Sequence, residues 1–516
     1  MARPGPSHAA AYSQNDMAAT ALTLRAVRAR TAWPWAVGVA LVVFIVHLPS
    51  FFHQLMDGDE AVYGSIATLM DGGARLYAEG GVDNKPPGIF WVYAATFDVF
   101  GRYQMTAIHV IGLLVVAATC VLLFVITRDL ASTRAGLLAA LLYGVLTGAG
   151  NPRLLAANTE LFMTLPLTAA VLLMMRRQWF WSAVLMVVAG AFKQVAAIEV
   201  LLLPVGLALI EPRDSRVRAA AWFCGGVAAG LVAGAVLLAA TGSIEGFWRW
   251  TVQTLVGYAE ANWTPATLWA RSKDSILPFV LDMIVVWVAA IAAALRWRSL
   301  SPRERFAPAW FAVSGAGALA GGHWSWHYFI QVMAPLAVLA ALAIDRALDS
   351  PRRRWAAAIA IVGVAAPAAW WTVFNFQADP LTYDWSPPIA QHELVAAYVR
   401  DHTKPGDRIF VWGDWPALYA ESDRLPSSRF PGFLRGFARG SGLPPNNWDT
   451  APDVWPELQS DLERNPPALI VDTAAAGWSD FSSYPMSDYP VLAQLVAADY
   501  RQVATVDGVV IYARAA

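Results

Sequence analysis

Charge is scarce in this 516-residue chain. Asp, Glu, Lys and Arg make up 15% of it, against about a quarter in a soluble domain. Hydrophobic residues make up 57%, and the mean hydropathy is +0.44. That composition belongs to a membrane protein and excludes an ordinary water-facing globule. The formal net charge of −1 says little, because the charges are spread unevenly, and no nucleic-acid partner is expected. There are only two cysteines, Cys120 and Cys224, each inside an apolar run, which argues against a structural disulfide or zinc site. Neither a GxxxxGK[ST] loop nor a convincing GxGxxG is present, so no soluble nucleotide site stands out. No internal repeat is visible, and no small-x-small cleavage site follows the first apolar run at 35–52, which reads as an uncleaved span.

What the chain has in abundance is membrane-length apolar sequence. After 35–52, further runs lie at about 105–126, 134–150, 154–175, 179–193, 195–211, 219–241, 276–295, 306–322, 323–345 and 355–374, judged against ~20 residues per span. The expectation is a polytopic α-helical protein with eleven spans. With the N-terminus inside, nineteen Lys and Arg residues fall on inner segments and eight on outer loops, which supports a cytoplasmic N-terminus. The abundance of Trp, 24 residues, suits a long membrane–water interface. Gly226, Gly230 and Gly234 form a helix-packing stripe. Three regions result: an N-terminal tail (1–34), a transmembrane domain (35–375) with a long first outer loop (53–104), and a tail (376–516). The tail has ten basic and eighteen acidic residues. Its runs 408–413, 468–472, 501–506 and 508–513 read as strands and 389–402, 453–464 and 489–499 as helices, with Asp507-Gly508 as a hairpin turn. An extracytoplasmic α/β domain is expected.

The first outer loop holds the densest chemistry. Asp59 starts an amphipathic helix with Val62, Ile66 and Met70 on one face. It reads equally as a helix N-cap or as a base whose charge the helix dipole favours. Glu60 reads as a first-turn dipole partner or a group supporting Asp59. Lys85 precedes Pro86-Pro87, which start a second short helix carrying Ile89, Phe90, Trp91 and Tyr93, expected in the interface. The lysine suits either lipid headgroups or a substrate phosphate. Within the spans, Glu160, Lys193, Glu199 and Asp282 are costly to bury. All four lie toward the outer ends, as do His323, His327 and Gln331, with Arg153 at a neighbouring turn. They converge on an outward-opening polar cavity. A structural Glu160–Lys193 pair is the plain alternative, and His323 with His327 is weak evidence for a metal.

Several segments together resemble the GT-C type glycosyltransferases that use polyprenyl-phosphate sugars, including the protein O-mannosyltransferases and lipid A aminoarabinose transferases. These are the Asp59-Glu60 pair, YGSIATLM, NKPPGIFW, the FG at 100–101, NTELFM (158–163), AFKQ (191–194) and HYFIQVMAP (327–335). The resemblance covers roughly 35–375. It implies an inverting hexosyl- or pentosyltransferase in a bacterial-type inner membrane, with a polyprenyl-phosphate-linked donor and an extracytoplasmic acceptor. Asp59 would be the general base, with Glu60 beside it in the catalytic pair. Lys85, joined by Lys193 and His327, would bind the donor phosphate, and Arg153, Glu160 and His323 would line the cavity. No cofactor is expected, and a divalent metal ion stays open. Asn84 stands where aminoarabinose transferases carry Glu, and His109 near where relatives often carry Arg. A transporter or flippase of lipid-linked glycans is the alternative, and a catalytically inert binding protein presenting the tail is a third reading.

Overall fold

The structure, a computed structural model, describes residues 33–71, 73–253, 263–383, 392–413, 415–432, 454–478, 482 and 484–515. The N-terminal tail reading falls, up to residue 32, outside them. Each apolar run folds as helix. The elements are α1 (Trp33–Phe51), α2 (Gly58–Met70), α3 (Gly88–Phe100), α4 (Met105–Leu130), α5 (Thr133–Gly148), α6 (Thr159–Met175), α7 (Trp179–Gly190), α8 (Gln194–Leu209) and α9 (Arg216–Ala240). There follow α10 (Pro265–Asp282), α11 (Ile284–Leu295), α12 (Phe306–Ala320), α13 (Trp326–Leu348) and α14 (Arg353–Gln377).

Among the described residues, α1, α4, α9, α13 and α14 are long and apolar enough to cross a membrane, and α10–α11 make a sixth if the bent pair counts as one span. The eleven-span expectation is not met by this measure, for a local reason. Hydropathy does not register where a helix stops, and several runs are divided or shortened by backbone breaks. Arg177 turns left-handed (φ 59) between α6 and α7. Lys193 is extended (φ −152) between α7 and α8, and α8 opens with 3₁₀ geometry. Met283 (φ −126, ψ 42) breaks α10 from α11 at 84°. The glycine stripe on α9 packs partly as expected. A Cβ at Gly226 would lie 2.2 Å from the Phe180 carbonyl oxygen and one at Gly230 2.9 Å from Val187, whereas Gly234 faces open space.

The tail forms a five-stranded mixed sheet in the order β2-β1-β3-β5-β4, from β1 (Arg408–Trp412), β2 (Leu425–Pro426), β3 (Leu469–Asp472), β4 (Tyr500–Val506) and β5 (Val509–Arg514). β1 runs parallel to β2 and β3, while β5 is antiparallel to β3 and β4. The helices of the tail are α15 (His392–His402), α16 (Ala417–Ser422), α17 (Val454–Arg464) and α18 (Pro490–Asp499). Asp507 and Gly508 both have positive φ (47 and 82), the geometry of a tight hairpin turn. The short strand β2 was not legible as a strand.

The first loop and the tail share one hydrophobic core. Val62, Tyr63 and Ile66 of α2 and Ile89, Phe90 and Tyr93 of α3 pack in the same cluster as Phe410, Trp412 and Phe430. The spanning helices form a second core of their own. Thus α3, expected in the membrane interface, buries Ile89, Phe90 and Tyr93 completely inside protein and exposes Val99 and Phe100.

Candidate active site

Two carboxylates two residues apart open α2 and have different roles. Asp57 is the N-cap, with extended backbone (φ −153, ψ 153) and a carboxylate that accepts the Asp59 N–H at 3.4 Å. Asp59 is therefore not the cap. It sits in the first turn, where the helix dipole favours a negative charge, and its side chain is 35% exposed. Its Oδ2 accepts from the Tyr63 hydroxyl at 3.4 Å and lies 4.0 Å from Lys85 Nζ and 3.8 Å from His327 Nε2.

Glu60, one residue on, faces another way and is fully buried. Its Oε2 accepts the Met56 N–H at 2.7 Å, and its Oε1 accepts the Ala157 N–H at 2.6 Å and meets His109 Nε2 at 3.0 Å. This is the reach-back of a capping box, displaced one residue. It ties the start of α2 to the segment before α6. His109 is thereby committed to an internal contact.

Lys85 is aimed by a turn in which Asp83 Oδ1 accepts the Lys85 N–H at 2.8 Å. The Tyr77 hydroxyl donates to the Lys85 carbonyl at 2.7 Å, and Lys85 Nζ lies 3.6 Å from Asp83. Burial raises the Asp83 carboxyl above its ordinary value, against the pull of Lys85. Burial would raise Asp57 too, but Arg153, with Nε at 3.9 Å, and His327 outweigh it and hold Asp57 well below the carboxylate range. Asn158 Nδ2 also donates to Asp57, at 3.0 Å.

His327 joins the cluster from the single turn that opens α13, just after Trp324, a left-handed residue (φ 50). Its Nδ1 lies 3.3 Å from Asp57 Oδ2 and its Nε2 3.7 Å from Glu160 Oε1. Glu160, in the first turn of α6, pairs with Lys193, whose ammonium sits 3.2 Å from the Tyr328 ring centroid. The extended backbone between α7 and α8 is what turns Lys193 into this cluster.

Asp59, Lys85, Arg153, Glu160, Lys193 and His327 thus meet at one end of the bundle. His323 stands at its edge, its ring 5.9 Å from that of Tyr328. Glu199 belongs to a separate contact, accepting from Ser314 Oγ at 2.6 Å and Gln331 Nε2 at 3.1 Å. Asp282 ends α10 at the bend. Sequence reasoning missed Asp57, Tyr63, Asp83 and Tyr328. The signal for Asp57 was present, since Asp-x-x-Glu before an apolar run is a capping pattern, but Asp59 fitted a cap as well. Asp57, Asp59 and His327 each offer one ligand atom within 4.8 Å of the others. Two carboxylate oxygens and an imidazole nitrogen suit a divalent cation, which would compete with Arg153, Asn158 and Lys85 for those carboxylates. Chemically, the site offers a partly exposed carboxylate at a helix N-terminus beside several cations.

The family model described as dolichyl-phosphate-mannose-protein mannosyltransferase matches residues 84–239, the stretch carrying Lys85, Arg153, Glu160 and Lys193. Two solved structures share the fold. ArnT from Cupriavidus metallidurans bound to undecaprenyl phosphate aligns over 94% of this chain and 98% of its own, at 16% identity and a TM-score of 0.59. The archaeal oligosaccharyltransferase AglB from Archaeoglobus fulgidus, in complex with an inhibitory peptide and a dolichol-phosphate, aligns over 94% of this chain and 74% of its own, at 12% identity and a TM-score of 0.53. No curated protein matches the chain by sequence.

Proposed function

We infer that this chain, a membrane protein built on the GT-C glycosyltransferase scaffold, transfers a sugar from a polyprenyl-phosphate donor to an extracytoplasmic acceptor. Asp59 is the base. The observation that carries this reading is that Asp57 holds the cap, which leaves the Asp59 carboxylate partly exposed and 4.0 Å from Lys85. An acceptor hydroxyl is a poor nucleophile near neutral pH. Asp59 takes its proton as the oxygen bonds to the anomeric carbon. The carbon–oxygen bond to phosphate breaks with its electron pair, and the polyprenyl phosphate departs as an anion. That anion needs a cation more than a proton. Lys85 is placed to meet it, with Lys193 and His327 behind, while Arg153, Glu160 and His323 border the space for substrate. One displacement inverts the anomeric centre, so a single carboxylate base suffices, unlike the carboxyl pair of a typical glycosidase. Glu60 serves by fixing the start of α2. The polyprenyl phosphates bound to ArnT and AglB support the same leaving group here.

Asp59→Asn tests the base, since it removes the charge and leaves Asp57 to cap. Single-turnover transfer with saturating donor should fall by roughly 10²–10⁴-fold, with folding and donor binding retained. Wild-type transfer by the Asn variant would move the base elsewhere.

The excess of Lys and Arg on the segments read as inner supports a cytoplasmic N-terminus and an extracytoplasmic tail in a bacterial-type inner membrane. In a background without Cys120 and Cys224, a cysteine at the exposed Ser487 should react with an impermeant thiol reagent in intact cells, and one at the exposed Ser299 should not. The reverse labelling would invert this orientation.

A further inference from the structure

The helices that begin at the candidate active site end in a second charged locus. Glu160 and His109 lie near the starts of α6 and α4, and Asp129 and Arg176 mark their other ends. With a rise of ~1.5 Å per residue, α4 carries Asp129 about 30 Å along its axis from His109. There a cavity of about 420 Å³ opens between the apolar side chains Ile126, Leu172 and Met175 and the guanidinium groups of Arg176, Arg177 and Arg303. Asp129 also lines it, but Arg128 already holds that carboxylate at 2.8 Å. Arg176 reaches Asp129 only at 4.0 Å and Arg177 reaches Glu211 only at 3.8 Å, so neither guanidinium is saturated. Arg303 is exposed, and no ion pair to it occurs among the described residues. Three lining arginines against one lining carboxylate leave a net positive pocket with one apolar wall.

The backbone supplies an independent sign. α6 ends in a Schellman turn: the Gln178 N–H donates to Leu173 O at 2.8 Å and the Arg177 N–H to Met174 O at 2.9 Å. The left-handed position of that turn usually falls to glycine, because a side chain there is strained. Here it is Arg177 (φ 59). That conformation fans two successive guanidinium groups, Arg176 and Arg177, from one tight corner. Trp181 and Trp222, both strongly exposed, line a neighbouring cleft with Arg177, and indoles of this kind mark the level of the headgroups.

We propose that this pocket binds the phosphate headgroup of an anionic phospholipid, with the acyl chain along Ile126, Leu172 and Met175. The chemistry is phosphate recognition by guanidinium next to an apolar wall, and the lipid commitment follows from that wall and the indoles. Purified full-length protein in zwitterionic detergent is the test. Native mass spectrometry should find phosphatidylglycerol retained over phosphatidylcholine, and its addition should raise the Tm. Each arginine removed should weaken retention ~5-fold. Arg303→Ala should act without loss of basal Tm. Arg177→Gly should weaken retention while leaving the basal Tm equal or higher, because glycine relieves the left-handed strain. Equal retention of the two lipids, or unaltered preference in both variants, would overturn the proposal. So would the same rise in Tm from inorganic phosphate alone, which would mark a soluble-phosphate site.

Discussion

Charges in the tail and charges at the candidate active site are packed under opposite rules. In the tail, Arg429 and Asp461 face each other with two bonds of 2.8 Å, and Arg429 N–H adds a third at 2.9 Å. Arg424 spends its donors on Thr403 Oγ1 and on the carbonyls of Arg400, Thr403, Ser422 and Asp423. His392 lies between Asp379 at 2.8 Å and Glu421 at 2.7 Å. At the site, by contrast, the Asp59 carboxylate lies 4.0 Å from Lys85 and 3.8 Å from His327, and its side chain stays 35% exposed. Short saturated pairs hold a fold together. Long, shared contacts keep side chains near one another while leaving capacity for a ligand's charge. Close-packed pairs at the site have a bracing role: Glu160–Lys193 holds α6 against the α7–α8 break, and Glu60–His109 holds the start of α2 against α4.

That contrast can be broken at either end. The largest effect on stability is expected in the tail. Arg429→Ala strips the two short guanidinium bonds from the buried Asp461 and leaves it the backbone N–H at position 429 and the longer Arg464 contact at 3.5 Å, which should cost about 3 kcal/mol. Chemical denaturation would measure the loss, and sugar transfer per folded molecule should stay near wild type. A stable variant that has lost transfer would erase the distinction between the two regions.

Next in size is Lys85→Ala. A charge-assisted contact is worth about 1.5–3 kcal/mol, so donor affinity should fall by roughly 10–100-fold with little change in Tm, and Lys85→Arg should recover part of it. Titration with a synthetic lipid-phosphate donor reads this directly. A large drop in Tm with unchanged affinity would make Lys85 a structural residue of the tail's kind.

The smallest effect is a slope with pH. Burial disfavours charge on His392, but Asp379 and Glu421 outweigh burial and raise it to about 10. A raised histidine stabilises fully below its unfolded value of 6.5 and loses that contribution as pH climbs through its folded value. The stability gap between wild type and His392→Gln should therefore be widest near pH 6 and shrink toward pH 10 in thermal melts at matched salt. A gap that widens with pH would mean that His392 is neutral in the fold.

Much of this architecture was legible in the residues. Hydropathy located every spanning-type helix, because apolar runs have few ways to satisfy their backbone in lipid except as helix. Four of the five tail strands were readable from short β-branched runs and from Asp507-Gly508, and the two-residue β2 was not. Local geometry was less so. Asp57 and Asp59 both fit a helix start, and only the backbone decides which one caps. Nothing near Lys193 announces that it is extended rather than helical, yet that one residue's dihedrals set its ammonium over Tyr328. The pairing of the first loop with the tail was invisible, since Arg102 meets Asp423 across 321 positions and each charge alone reads as a solvated surface group.

That last pairing bears on how the protein is made. Val82 N–H bonds the Arg429 carbonyl, Arg102 bonds Asp423, and Gly432 lies against Val62. The helix that presents Asp59 thus completes its packing only against residues synthesised more than 300 positions later. At roughly 5–20 residues per second, the ribosome delivers those partners about half a minute after α2 has emerged. The first loop then leaves the ribosome well before the segments that complete its core, and it matures only when they arrive.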